Sequence, residues 1–366
     1  MISLTAPDIT ETVPDLAGSP HATTELVSEL GSARGSDFSV LSHQVRAARL
    51  LDRRYWSYTL RIAATLLAGA AAWTGTILLS GSWFKLLTAA GLGLVSTQIA
   101  FLGHDGAHQQ IAASRRGNTW VGLLAGNLLT GLSIGWWIDK HNRHHANPNK
   151  QDYDPDIGDG VLAFTAEHAA NRSGRLGRAI TKNQALLFFP LLTLEGLHLH
   201  VSSVTWLCRT PAAKHRRMEI MLLAAHLVLY AGALLLVMNP LPALAFVAVH
   251  QAVFGLYMGC SFAPNHKGMP LIGAHQRLDY LRKQVLTSRN VRGGWFIDQL
   301  LGGLNYQIEH HLFPNMPRPN LRHARHLTRT YCRQHNVTYT ETGLFTSYAM
   351  ALRHLHALAA PLRQGA

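Results

Sequence analysis

The chain has 366 residues, of which 48% are hydrophobic and only 14% charged, where a soluble domain carries roughly 25% charged residues. Its net charge of +13 flanks apolar runs, with no sign of an RNA- or DNA-binding module, which argues for a membrane surface rather than nucleic acid as partner. Three cysteines, Cys208, Cys260 and Cys332, with no CxxC among them, argue against a disulfide framework and a zinc ribbon.

Residues 1–41 are rich in Ser, Thr, Pro, Gly and acidic side chains. Such a segment buries too little apolar surface to offset its ordering entropy, so a disordered tail is expected. It lacks a basic region followed by an apolar one, so no cleaved signal peptide is expected. Arg46, Arg49, Arg53, Arg54 and Arg61 then lead into an uncharged run at 62–79, long enough to cross a hydrocarbon core of roughly 30 Å. A short break, Ser80-Gly81-Ser82-Trp83, precedes a second uncharged run that delivers the chain into His104 and His108. Spans are therefore expected at about 60–80 and 85–103, as one hairpin.

The uncharged run at 118–138 is also long enough to span. Crossing, however, would put His104 and His108 on one side of the bilayer and His141, His144 and His145 on the other. With Gly122, Gly126, Asn127, Gly131 and Gly135, it suits an interfacial or protein-covered segment. The stretch 185–207, interrupted by Glu195, His198 and His200, reads as one amphipathic, partly submerged helix. Between Glu219 and Lys267 there is no Asp, Glu, Lys or Arg, and Asn239-Pro240-Leu241-Pro242 splits that run into a second hairpin, with spans at about 219–239 and 241–263. Arg115, Arg116, Arg209, Lys214, Arg216 and Arg217 border the histidine side, while the hairpin turns carry only Lys85. The positive-inside rule then places both termini and the histidines in the cytoplasm, at the cell membrane. The expected fold is an all-α integral membrane protein: four transmembrane helices in two hairpins, interfacial helices and a cytosolic histidine-rich domain. Residues 42–335 form one membrane domain, followed by a basic helical tail at 336–366.

Three histidine motifs share helical spacing. His104 and His108 stand at i and i+4; His141, His144 and His145 at i, i+3 and i+4; Gln307, His310 and His311 at i, i+3 and i+4. Each set can face one centre. With His266 at a membrane exit, these are too many ligands for one tetrahedral zinc, and they fit two metal ions in a shared cage. Two redox-active irons beside a greasy chain point to oxygen activation against an unreactive C–H bond. Asp105 and Asp139 are candidate partners of the ligands, or solvated acids. Trp136 and Trp137 are candidates to line a substrate path, or interfacial anchors. His198, His200, His226 and His250 read as hydrogen-bonded structural residues.

The motifs His104–His108, His141–His145 and Gln307–His311, with the continuation QIEHHLFPNMPRPNL, resemble the integral-membrane fatty acid desaturase family, and most closely its front-end (Δ5/Δ6 acyl and Δ8 sphingolipid) branch. The resemblance implies two irons held by His104, His108, His141, His144, His145, His266, His310 and His311. Gln307 would be a ligand or a hydrogen-bond donor to one. It further implies a narrow tunnel for a long-chain acyl substrate (acyl-CoA, acyl-carrier protein or glycerolipid). The reaction would be O2-dependent removal of two vicinal hydrogens. No HPGG haem motif of a fused cytochrome b5 domain occurs. A separate donor, such as a ferredoxin or a flavin reductase, is therefore expected to supply two electrons. A lipid or carotenoid hydroxylase or ketolase on the same cage is the alternative. A histidine-rich metal transporter fits less well, because the spans offer only His226 and His250 as polar pathway residues.

Overall fold

A computed structural model describes residues 37–364. The expectation of a disordered segment over residues 1–36 lies outside the described residues. The principal helices are α1 (Asp37–Ala47), α2 (Tyr55–Leu78), α3 (Lys85–Ala107), α4 (Arg115–Gly122), α5 (Ile134–Ala146), α6 (Gln184–Leu192), α7 (Glu195–Arg209), α8 (Arg216–Val237), α9 (Pro240–His266), α10 (Tyr280–Leu286), α11 (Gln307–Leu312), α12 (Arg318–Gln334) and α13 (Leu344–Leu358). One two-residue parallel pairing, Asn290–Val291 with Glu341–Thr342, is the sole sheet among the described residues.

Four helices, α2, α3, α8 and α9, are long and apolar enough to cross a membrane. They occupy the regions expected from the uncharged runs. Pro240 opens α9 at its first turn, where a missing N–H costs nothing. The four are not equivalent. α3 and α9 pack along one another as an inner pair, while α2 and α8 lie outside and bury almost nothing. Close approach of the inner pair needs Gly93: a Cβ there would stand 2.9 Å from the His250 carbonyl oxygen and from Val253. The outer helices expose Leu60, Leu67, Leu78, Leu227, Val228 and Leu236. That surface would be costly in water and is ordinary against lipid.

The 118–138 run is not one helix. α4 continues through a π-helical segment, Leu123–Leu129, breaks at residues 130–133, and turns by 115° into α5. The break is held by polar contacts rather than by flexibility. Buried Glu219 on α8 accepts from the Ser133 hydroxyl (2.6 Å), the Gly135 N–H (3.1 Å) and the Asn127 amide (3.1 Å). Ser133 in turn caps α5 by accepting from the Trp136 N–H.

Three expectations change. The 185–207 stretch is two helices, α6 and α7, bent by 71°. Pro190 withholds a backbone donor, the Thr193 hydroxyl takes the Pro190 carbonyl, and Gly196 seats α7 against Gly255 of α9, where a side chain on Gly255 would strike the Gly196 backbone. The boundary expected at 41/42 falls inside α1, whose Leu41 and Val45 are fully buried in the core formed with Leu281, Val285, Ile308 and Leu312. The segment expected as a tail at 336–366 contains α13, which is part of the core. Ser347, Ala351 and Leu355, one stripe at i, i+4 and i+8, are fully buried, and α13 packs on α6 and α9. Arg289, also fully buried, donates to the carbonyls of Pro264, Lys267 and Ser347, tying the end of α9 to α13.

Candidate metal centre

All eight expected histidines, the seven of the motifs and His266, converge. His104 lies in the last turn of α3 and His108 directly after it. His141, His144 and His145 come from α5, His266 ends α9, and His310 and His311 lie in α11. Two groups could each hold a metal ion: His104, His108, His141 and His310, and His144, His266 and His311, with candidate ligand atoms in each within 4.8 Å of one another. His145 stands between them. Its Nε2 is 3.0 Å from the His141 Nε2, and its ring stacks on His311 at 4.2 Å.

The chemistry of the contacts is that of a cation site. His144 donates from Nδ1 to Asp154 (2.9 Å), and His266 donates from Nδ1 to the Thr287 carbonyl (3.0 Å). In the neutral tautomers these acceptors impose, Nε2 of each carries a lone pair, yet the two Nε2 atoms face one another at 3.3 Å. A proton or a metal ion has to lie between them. The Nε2 atoms of His104, His310 and His311 are buried with no protein partner. Helix C-termini point the same way: His104, His266, His310 and His311, and His144 with His145, occupy the last turns of α3, α9, α11 and α5. The negative ends of these four helix dipoles meet at the cage and favour positive charge there.

Burial pushes the imidazoles of His108, His141, His145, His310 and His311 well below the ordinary histidine range, and neighbouring histidines lower them further. They are held neutral. His144 goes the other way: burial lowers it, but the carboxylates of Asp156 and Asp154 outweigh that.

The fatty acid desaturase family description matches residues 81–343, which contain every one of these histidines. The chain belongs to the fatty acid desaturase family. A Delta(8)-fatty-acid desaturase from Helianthus annuus is 31% identical over 304 residues, 78% of this chain and 65% of that protein. A Delta(6)-fatty-acid desaturase from Caenorhabditis elegans is 32% identical over 289 residues, 76% of this chain and 65% of that protein. A Delta(8)-fatty-acid desaturase from Borago officinalis is 28% identical over 357 residues, 94% of this chain and 78% of that protein. The aligned region thus spans just under two thirds of the length of the first two.

In this family member the remaining expected residues separate cleanly. Asp105 accepts from His104 Nδ1 (3.0 Å) and pairs with buried Arg318 at 2.6 Å. Asp139 is exposed and meets only Arg143 at 3.6 Å, so it stands away from the cage. Trp137 stacks on His141 at 4.1 Å and meets His104 edge-on, walling the first group. Trp136 is buried, which removes it from the role of interfacial anchor. Gln307 lies at the second group, its amide nitrogen 2.9 Å from His266 Nε2 and its oxygen 3.2 Å from the Asn265 amide. Glu309 turns its carboxylate away to Asn290 and Tyr339, and burial raises it to about 7.

His200, His226 and His250 are indeed structural. The first two donate to the carbonyls of Gly131 and Leu128, and His250 sits between Tyr230 and Ser96.

Sequence reasoning missed Asp154, Gln284 and Thr287. Asp154 accepts from His144 and from the N–H groups of Asn149 and Asp156. Gln284 accepts from His311 Nδ1 and donates to the His145 carbonyl. Missed too was Gly302-Gly303, the left-handed turn (φ +61° and +79°) before the third motif. A side chain on Gly302 would strike Phe101, and one on Gly303 would strike Arg318.

Proposed function

We propose that this protein is a membrane-embedded fatty acyl desaturase with two iron ions. With O2, two protons and two electrons from a separate donor, it would convert a saturated –CH2–CH2– unit of a long-chain acyl group into a cis double bond and two waters. The observation that carries this reading is the pair of histidine groups in which the Nδ1 atoms of His104, His144, His266 and His311 are engaged by acceptors while the Nε2 atoms of the groups converge. His104, His108, His141 and His310 would hold one ion. His144, His266 and His311 would hold the other, and His145 would serve the space between. The second group has one histidine fewer than the first. Turning the Gln307 amide gives up its 2.9 Å contact with His266 Nε2 and the 3.2 Å bond from Asn265, and brings an oxygen ligand to that place. Bound iron supplies the oxygen activation; the chain supplies position, orientation and exclusion of water.

Asp105, Asp154, Gln284 and the Thr287 carbonyl fix the ring orientation of four ligands before any metal arrives. Trp137 closes one side of the first group. The basic residues Arg115, Arg116, Arg209, Lys214, Arg216 and Arg217 on the histidine side support a cytoplasmic centre with cytoplasmic termini, in the cell membrane. The same basic face suits an acidic ferredoxin or a flavin reductase as electron donor. The acyl group would arrive on CoA, carrier protein or glycerolipid. The Delta(8) and Delta(6) activities of the relatives favour the front-end branch, with insertion near Δ6 or Δ8.

Expression in a host that provides a ferredoxin–reductase pair, followed by gas chromatography–mass spectrometry with derivatisation to locate double bonds, tests the reading. Wild type should yield a new unsaturated acyl chain that a His144→Ala variant does not. Two irons per purified wild-type chain are expected. Hydroxylated products, or zinc in place of iron, would refute it.

A further inference from the structure

A second site lies outside the cage, in a groove of about 350 Å³ between α2, α3 and α9. Its composition is graded along the helix axes. Its end nearer the histidines is lined by Arg61, Gln98, Tyr257, Gln299 and Arg318; one and two turns further away it is lined by Ala64, Ala68, Leu94 and Val95. From Arg61 to Ala68 the wall descends about 10 Å. Leu94 and Ala68 are exposed, so the deep part opens towards whatever surrounds α2 and α3.

The polar end carries positive charge that the protein leaves unbalanced. Among the described residues Arg61 has no carboxylate within ion-pair distance. It bonds only to the neutral Gln299 (2.5 Å) and Ser57 (3.4 Å). Arg318, 5% exposed, gives one nitrogen to Asp105 and the Phe101 carbonyl, and its Nε is buried without a partner. Asp298, beside Gln299, is occupied by the Asn305 amide. Exposed Trp56, on α2 one and a half turns before Arg61, and Trp295 and Phe296, on the short helix that carries Gln299, frame this end. Such aromatic residues mark the depth of lipid headgroups. A half-buried, uncompensated cation at headgroup depth, above an apolar wall open to lipid, matches one ligand chemistry.

We propose that this groove binds an anionic glycerophospholipid, its phosphate at Arg61 and Arg318 and one acyl chain along Ala64, Ala68, Leu94 and Val95. The chain runs away from the histidines, so this lipid is a bound partner and not the molecule acted upon. Through Arg318 its headgroup sits one residue from Asp105 and two from the His104 ring. The inference rests on the membrane placement of α2 and α3 and not on the reaction.

Native mass spectrometry of the full-length protein in detergent, titrated with phosphatidylglycerol or with diacylglycerol of the same chains, tests it. Wild type should retain phosphatidylglycerol about tenfold better than diacylglycerol. Arg61→Gln should abolish that preference with unchanged iron content, and Arg61→Lys should restore part of it. Ala68→Trp should weaken both lipids by filling the chain path. Equal retention of the two lipids by wild type, an unaltered preference in Arg61→Gln, or full displacement by millimolar inorganic phosphate would overturn the proposal. Protein that binds the lipid but forms no double bond would sink the proposed activity and leave the groove standing.

Discussion

Replacing Asp154 with asparagine is the sharpest test of how the cage is set. Asp154 is buried and accepts three hydrogen bonds: from His144 Nδ1 at 2.9 Å, from the Asn149 N–H at 2.7 Å and from the Asp156 N–H at 2.9 Å. An amide of the same shape has one oxygen instead of two, so one of its sides turns a donor towards a donor. With the oxygen kept on the backbone, the amide nitrogen faces His144. Nδ1 must then accept, the proton moves to Nε2, and the ring can no longer ligate. With the oxygen kept on His144, a buried N–H loses its partner. Either outcome removes a charge-assisted hydrogen bond, about 1.5–3 kcal/mol. The metal affinity of the second group should fall roughly 10–100-fold, or about 1.4–2.8 kcal/mol. Iron retained during chelator competition, measured by inductively coupled plasma mass spectrometry, should drop towards one per chain. Asp139→Asn, made as a control, should leave it unchanged. Two irons in Asp154→Asn with an unshifted competition curve would refute the argument that Asp154 sets the His144 tautomer.

Metal removal should make stability acid-sensitive. His108, His141, His145, His310 and His311 have folded-state affinities for protons below their unfolded value of about 6.5, so the unfolded chain protonates first as pH falls. Their contribution is present above that pH and lost below it, while His144 and His198, raised by neighbouring carboxylates, and Glu309, raised by burial to about 7, oppose the trend without outnumbering them. Chelated protein should therefore melt lower at pH 5.5 than at 7.5, by on the order of 1 kcal/mol per pH unit for each net proton; a higher melting temperature at pH 5.5 would contradict this. Arg318→Met strands buried Asp105 and should cost about 3–5 kcal/mol, with the Arg318→Met/Asp105→Leu double variant recovering much of the melting temperature. Gly255→Ala forces α9 off the Gly196 backbone and should cost about 1–3 kcal/mol in a detergent melt, whereas Gly232→Ala, with open space around it, should be silent.

The histidine ligands were legible because imidazoles three and four apart on a helix carry their geometry in their spacing. The four long helices were legible because absence of charge over twenty residues leaves few other readings. What escaped has no period. Asp154 reaches His144 from an irregular loop, and nothing local distinguishes it from Asp152 or Asp159 beside it. Gln284 and Thr287 come from a different helix altogether and meet the ligands only through tertiary packing. The bend between α6 and α7 was signalled weakly by Pro190, but Gly196 against Gly255 decides it, and such a contact is written in two distant places. The C-terminal helix should have been read as core: Ser347, Ala351 and Leu355 already form a stripe, which its many basic neighbours obscured.

Both histidine groups close with residues from α11, His310 in one and His311 in the other. Neither is complete until the ribosome has passed that helix, by which point all four long helices have been made. Bound metal could not guide the early helices to their places; it would arrive at a scaffold already standing and lock it. Joining residues as far apart in the chain as His104 and His310, or His144 and His311, each ion would act as a late cross-link, its binding energy spent on the ends of α3, α5, α9 and α11 that carry the histidines. A chain starved of iron during synthesis would accordingly reach the membrane with its spans formed and its cage loose.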